Sequence, residues 1–125
     1  MSNSFSIIPI PAPLKSQSLV NDLKERLDWG EPALTIIDIR DRGAFNISHI
    51  SGAISLPMSE LVNRALINFE LDRDIYVYGS TDEQATDAAA QLRAAGYQNV
   101  SQLRGGLAAW KANGYPIEGN SAVVA

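Results

Sequence analysis

Apolar positions along the chain alternate between two patterns. Four short runs are nearly continuous: ALTIIDI from Ala33 to Ile39, GAISL from Gly52 to Leu56, DIYVY from Asp74 to Tyr78, and NVSQL from Asn99 to Leu103. Their brevity and β-branched content predict strands, and a run apolar on both faces suits a parallel sheet covered on both sides. Between them apolar residues recur at helical spacing. Leu19, Val20, Leu23 and Leu27 predict a first helix with Ser18 as its N-cap, closed by Gly30 and Pro32. Arg42 to Phe45 fits one helical turn. Leu61, Val62, Ala65, Leu66 and Phe69 predict a helix capped by Ser59. Ala85, Ala88, Ala89, Leu92 and Ala95 mark a helix over 84–95, with Gly96 as its C-terminal cap. Gly105-Gly106 turns into a last helix with Leu107, Ala108 and Trp110, closed by Asn113-Gly114 and Pro116.

Strands alternating with helices imply right-handed crossovers and a mostly parallel sheet with helices on both faces. The expected organisation is one α/β domain over 18–117, preceded by an extended arm (1–17, rich in Ser and Pro) and followed by a loosely held tail (118–125). No internal repeat interrupts it. A length of 125 residues suits one domain with its own core.

Charge and composition narrow the function classes. Ten basic against fourteen acidic residues give a formal charge of −4, which opposes nonspecific binding to nucleic acid or anionic membrane. No apolar run approaches the ~20 residues of a membrane span, and the N-terminus lacks a signal-peptide pattern. The expected location is cytoplasmic. There is no cysteine, so a disulfide framework, a thiolate metal site and a cysteine nucleophile are excluded.

The segment Asp72–Tyr97 reads as a strand, a short loop and an amphipathic helix. Such a loop presents unpaired N–H donors and the positive end of a helix dipole. Here it is Gly79-Ser80-Thr81-Asp82-Glu83-Gln84, with two carboxylates and no cation. Carboxylates in a first turn complement the dipole by ~0.3–1 kcal/mol each. They would repel an arriving anion, so weak anion binding is expected.

Three further pieces complete a pattern: Asp38-Ile39-Arg40 closing the first strand; Phe45 through Pro57, with His49, Ile50, Gly52 and Ala53; and Leu103-Arg104-Gly105-Gly106-Leu107-Ala108-Ala109-Trp110. In this order, over residues 16–117, they resemble the rhodanese-like (sulfurtransferase) domain family. The resemblance implies a doubly wound α/β fold with its active-site loop after the DIYVY strand. In catalytic members a cysteine opens that loop and carries a persulfide; a thiolate there is activated by the converging N–H groups. By register Gly79 stands where that cysteine would be. The resemblance therefore implies a degenerate loop over Gly79–Gln84, with Asp38, Arg40 and His49 as pocket-lining candidates and no catalytic residue.

Other chemistries are weaker. Ser80 or Thr81 as a nucleophile would need a base and an orienting group, for which Asp38 and His49 are the candidates. His49 is better explained by a bond to backbone. Asp38 is expected to cap the next turn, Arg40 to pair with a nearby acid, and Asp41-Arg42 to form solvated surface. Asp82, Glu83 and Asp87 read as a solvated helix end rather than a cation cage, so no metal and no cofactor is expected. Gly105-Gly106 lacks the remainder of a phosphate-loop motif. Trp29 and Trp110 are expected in core or edge packing. The expected function is a noncatalytic binding or regulatory module with a protein partner; the alternative is a sulfurtransferase-related protein working with a thiol supplied by a partner. The oligomeric state is left open.

Overall fold

The computed structural model describes residues 14–30 and 33–120. Most of the expected arm and the last five residues of the tail lie outside them. Five strands form one sheet: β1 (Gln17–Ser18), β2 (Leu34–Asp38), β4 (Ile54–Ser55), β5 (Asp74–Tyr78) and β6 (Asn99–Leu103), in the order β1-β6-β5-β2-β4. Every neighbouring pair runs parallel. A second ladder, β3 (His49–Ile50) with β7 (Ile117–Glu118), is antiparallel.

Alternation along the central strands divides the core. Ile37, Ile75 and Val77 face a cluster completed by Leu61 and Ala65 of α3 (Leu61–Asn68) and by Ala88, Ala89 and Leu92 of α4 (Asp82–Ala94). Ile36, Tyr76 and Tyr78 face the opposite cluster. There they meet Val20 and Leu23 of α1 (Val20–Asp28) and Trp110 of α5 (Gly106–Ala112). The buried stripe of α4 is mostly alanine, which lets the helix lie close to the sheet.

β5 and β6 match the expected spans, and the α/β class with a mostly parallel, helix-flanked sheet is observed. The differences have local causes. Ala33 has φ +64°, left-handed backbone that cannot continue a strand, so β2 begins one residue later. The turn expected at 42–45 extends as α2 (Arg42–Ile47). Ser18 does not cap α1; it lies in β1, buried, with its hydroxyl bonded to that of Ser101. Leu19 takes the cap position, and its N–H is satisfied by the Asp22 carboxylate. Ser59 is not a cap either, since Met58–Glu60 forms a 3-10 turn ahead of α3. The strand expected at 52–56 shrinks to Ile54–Ser55, and the β3–β7 ladder was not anticipated.

Several apolar residues in the expected helical stripes remain outside. Leu19, Leu27 and Leu66 are exposed, and only Val20 and Leu23 of α1 are buried. Trp29 is 81% exposed because it follows the last turn of α1 rather than facing the sheet, whereas Trp110 is 1% exposed, its indole N–H donating to the Pro116 carbonyl.

The small ladder ties the end of the chain to the site's flank. The Glu118 carboxylate accepts from the Gly52 N–H at 3.0 Å, and the His49 ring lies 3.5 Å away. The Gly52 N–H, then the charge of His49, holds Glu118 below the usual carboxylate range. A depressed folded value means this contribution is present above the carboxylate's ordinary pKa and fades as pH falls through the folded one. Glu118→Gln is therefore expected to flatten the acid limb of the stability curve below about pH 4.5, measured by urea unfolding from pH 3 to 7. An unchanged acid limb removes Glu118 from that role.

Candidate functional site

The sheet order reverses between β2 and β5: from β2 the chain steps outward to β4, then crosses back and grows through β5 and β6. A crevice at the carboxyl ends of strands on either side of such a reversal is where open α/β sheets bind ligands. Ile39–Arg40 leaves β2 here and Gly79–Ser80 leaves β5. The Ile39 N–H donates to the Tyr78 carbonyl at 3.0 Å, which holds the two exits together.

Asp38 is fully buried and sits beneath Arg40. The Arg40 guanidinium donates through Nε and Nη2 to both Asp38 oxygens at 2.7–3.2 Å, and Nη2 also reaches the Ser48 carbonyl. The Arg40 N–H donates to Asp38 as well. These bonds, Asp38's first among them, raise Arg40 above its ordinary value, so it stays charged. The Tyr78 hydroxyl accepts from the Ile50 N–H at 3.1 Å. Burial, then the neighbouring charge of Asp38, pushes its phenol far up. The acid with which Arg40 pairs is thus Asp38 itself. The next turn is capped by Asp41, whose carboxylate accepts from the Ala44 N–H, and Arg42 pairs with Glu60 at the surface.

His49 lies outside this cluster. Its Nδ1 bonds the Phe45 carbonyl at 2.7 Å and its ring stacks on Phe45 at 3.6 Å. It is not brought to Ser80 or Thr81 as a base, because both ring nitrogens are turned to the β3–β7 ladder and α2.

The loop satisfies much of itself. Thr81 is the N-cap of α4 and its hydroxyl accepts from the Gln84 N–H. The Gln84 side chain reaches back, its Oε1 accepting from the Ser80 N–H at 3.1 Å. A Cβ placed on Gly79 would meet Ile39 Cδ1 at 3.0 Å, Ile39 Cγ1 at 3.1 Å and Gln84 Cβ at 3.2 Å. Ile39 and Gln84 would therefore have to give by a few tenths of an ångström to admit a side chain at 79.

Of the two carboxylates of the loop, that of Asp82 turns to the start of α5. Asp82 accepts from the Gly105 N–H at 2.9 Å, with Arg104 at 3.9 Å, and its carbonyl accepts from the Gln102 side chain. It joins the start of α4 to the start of α5. That junction needs glycine: Gly105 has φ +76°, and a Cβ on Gly106 would press on the Gly79 carbonyl at 3.3 Å.

Two cavities flank the Gly79–Ser80 backbone. One, of about 280 Å³, lies between Ile39–Asp41, Met58, Ser80, Gln84 and Asp87. The other, of about 340 Å³, lies between Arg40, Gly79–Ser80 and the α5 side, with Leu107, Ala108 and Lys111. Neither is lined by Asp82 or Glu83. The larger cavity is lined by Arg40 and Lys111, and the smaller by Arg40 together with Asp41 and Asp87. Lys111, Leu107 and Ala108 were not identified from sequence, although they sit within and just after the segment beginning Leu103-Arg104-Gly105-Gly106. Among the described residues no group of three or more His, Asp or Glu is placed to hold a metal ion, and no helix is long and apolar enough to cross a membrane.

The model of the rhodanese-like domain matches residues 19–113, more than half of the chain. The chain belongs to this family. The crystal structure of the Alr3790 protein from Anabaena sp. is similar at 56% identity and a TM-score of 0.80, covering 82% of this chain and 91% of that one. A protein named sulfurtransferase from Allochromatium vinosum is 35% identical over 95 residues, 76% of this chain and 87% of its own length. The HTH-type transcriptional regulator Rv0324 of Mycobacterium tuberculosis is 35% identical over 99 residues, which are 78% of this chain but 42% of that protein. The chain thus spans less than half the length of Rv0324. This rhodanese-like domain has no cysteine at any position.

Proposed function

We propose that this rhodanese-like domain is a noncatalytic recognition module, binding or regulating a protein partner through the crevice at the ends of β2 and β5. The observation that carries the reading is at Gly79. The family's nucleophile position bears no side chain, and one placed there would crowd Ile39 and Gln84. With no nucleophile at position 79, the cavities beside it can recognise a group but cannot carry sulfur covalently. The match to Rv0324, a regulator more than twice as long as its matched segment, supports a module that works beside other domains.

A second reading, in which a partner supplies the thiol, is favoured by the cationic lining that Arg40 and Lys111 give the larger cavity. Closure around Gly79 weighs against it. The test is transfer of sulfur from thiosulfate to cyanide by the purified chain. Turnover indistinguishable from buffer is expected; robust turnover by the chain alone overturns the noncatalytic reading.

A further inference from the structure

The larger cavity has a chemistry that the degenerate loop does not account for. The chain carries a formal charge of −4, yet no carboxylate lines this cavity and two cations do. Arg40 is fixed through Nε and Nη2 on Asp38 and Ser48, and its Nη1 takes no part in those bonds. Lys111, exposed on the last turn of α5, makes no ion pair within them either. Because Asp38 largely balances Arg40, the net positive charge comes from Lys111, and Arg40 adds a guanidinium to the wall. Leu107 and Ala108 add an apolar wall, and Ser80 a hydroxyl.

We propose that this cavity seats a carboxylate from an acidic side chain of a protein partner. The proposal rests on the noncatalytic reading and names the partner's chemistry. A tetrahedral oxyanion needs several N–H groups converging on it. Here the Ser80 N–H is taken by Gln84 and the Gln84 N–H by Thr81. A planar carboxylate needs two donors, which a guanidinium nitrogen and an ammonium supply. The methylene stem of a glutamate lies favourably along an apolar wall. The volume, near the low end of the roughly 300–1,000 Å³ of small-molecule pockets, fits one side chain rather than a large cofactor.

The test is an NMR titration of the isotope-labelled chain with a pentapeptide capped at both ends and carrying one central glutamate. Its controls are the glutamine version, free acetate and thiosulfate. Expected are shifts at the amides of Ser80, Gly105 and Leu107 with the glutamate peptide and little with the glutamine peptide. Lys111→Gln should weaken binding by about five-fold, the upper range for an exposed ion pair, and Lys111→Arg should retain it. Since Lys111 is exposed, both variants should fold, as unchanged spectra elsewhere would show. Equal response to the glutamate and glutamine peptides, or none to either, overturns the proposal. Acetate binding as tightly as the peptide overturns the protein source, and tighter thiosulfate binding overturns the carboxylate. None of these outcomes alters the sulfur-transfer assay, so a failure here is separable from a failure of the noncatalytic reading.

Discussion

Asp38→Ala is expected to be the most damaging single change near the site. It leaves the Arg40 guanidinium in place with only the Ser48 carbonyl as partner, and removes the charge beside the Tyr78 hydroxyl. Removing one member of a buried pair costs about 3–5 kcal/mol, chiefly by stranding the other charge. Arg40 keeps some contact with water, 13% of its side chain being exposed, which places the loss near about 3 kcal/mol. For a domain of this size that lowers the melting temperature by roughly 10–15 °C. Arg40→Met should also destabilise strongly, because Asp38 has no exposure at all. The double variant should be less destabilised than the sum of the singles by more than about 1 kcal/mol, since the two act as one unit. Additive losses in urea unfolding would mean that the pair is not what secures this corner of the sheet.

Gly79→Cys carries the second large effect, on stability and on chemistry together. The backbone at 79 is not in the left-handed region, so no conformational penalty arises. The cost is steric, from contacts of 3.0–3.2 Å with Ile39 and Gln84. Overpacking of this kind costs about 1–3 kcal/mol. Ile39→Val removes Cδ1, the closest atom, and should recover part of that loss in the double variant. A thiol at this position should also be sluggish, with an ionisation near or above the ordinary value of about 8.5. The cause lies in the Ser80 N–H, a donor that would stabilise a thiolate and is already engaged by the Gln84 side-chain Oε1. Gln84→Ala added to Gly79→Cys should therefore lower the thiol's ionisation, read from the pH dependence of its alkylation. A strongly acidic thiol in the single variant would contradict the closed loop. From sequence the neighbouring acids were the expected obstacle. The structure directs Asp82 to the Gly105 N–H and leaves the obstruction to Ile39 and Gln84.

Patterns of period two and 3.6 made the central strands legible, because β5 and β6 are buried on both faces and their apolar runs have no other use. Gly105-Gly106 was legible for a similar reason: only glycine accepts that turn. The edges were harder. β4 is cut to two residues and β3 pairs with β7, 67 and 69 positions away along the chain, a partnership that no local pattern encodes. Ser18 and Ser59 each look like caps by type and position, but the sheet claims Ser18 and a 3-10 turn absorbs Ser59.

The sequence by itself determined the α/β class, the family resemblance, the absence of any thiol, and the loop in which Gly79 stands. These follow from residue types and short-range spacing, which a linear chain displays directly. Only the tertiary structure decided what surrounds that glycine. Ile39 and Gln84 reach it from different elements, Asp82 turns away to the start of α5, and Lys111 arrives beside Arg40 from the far end of the domain. Such meetings depend on strand order and on the direction of each side chain from its backbone, so they exist only once the sheet has closed the distances between them.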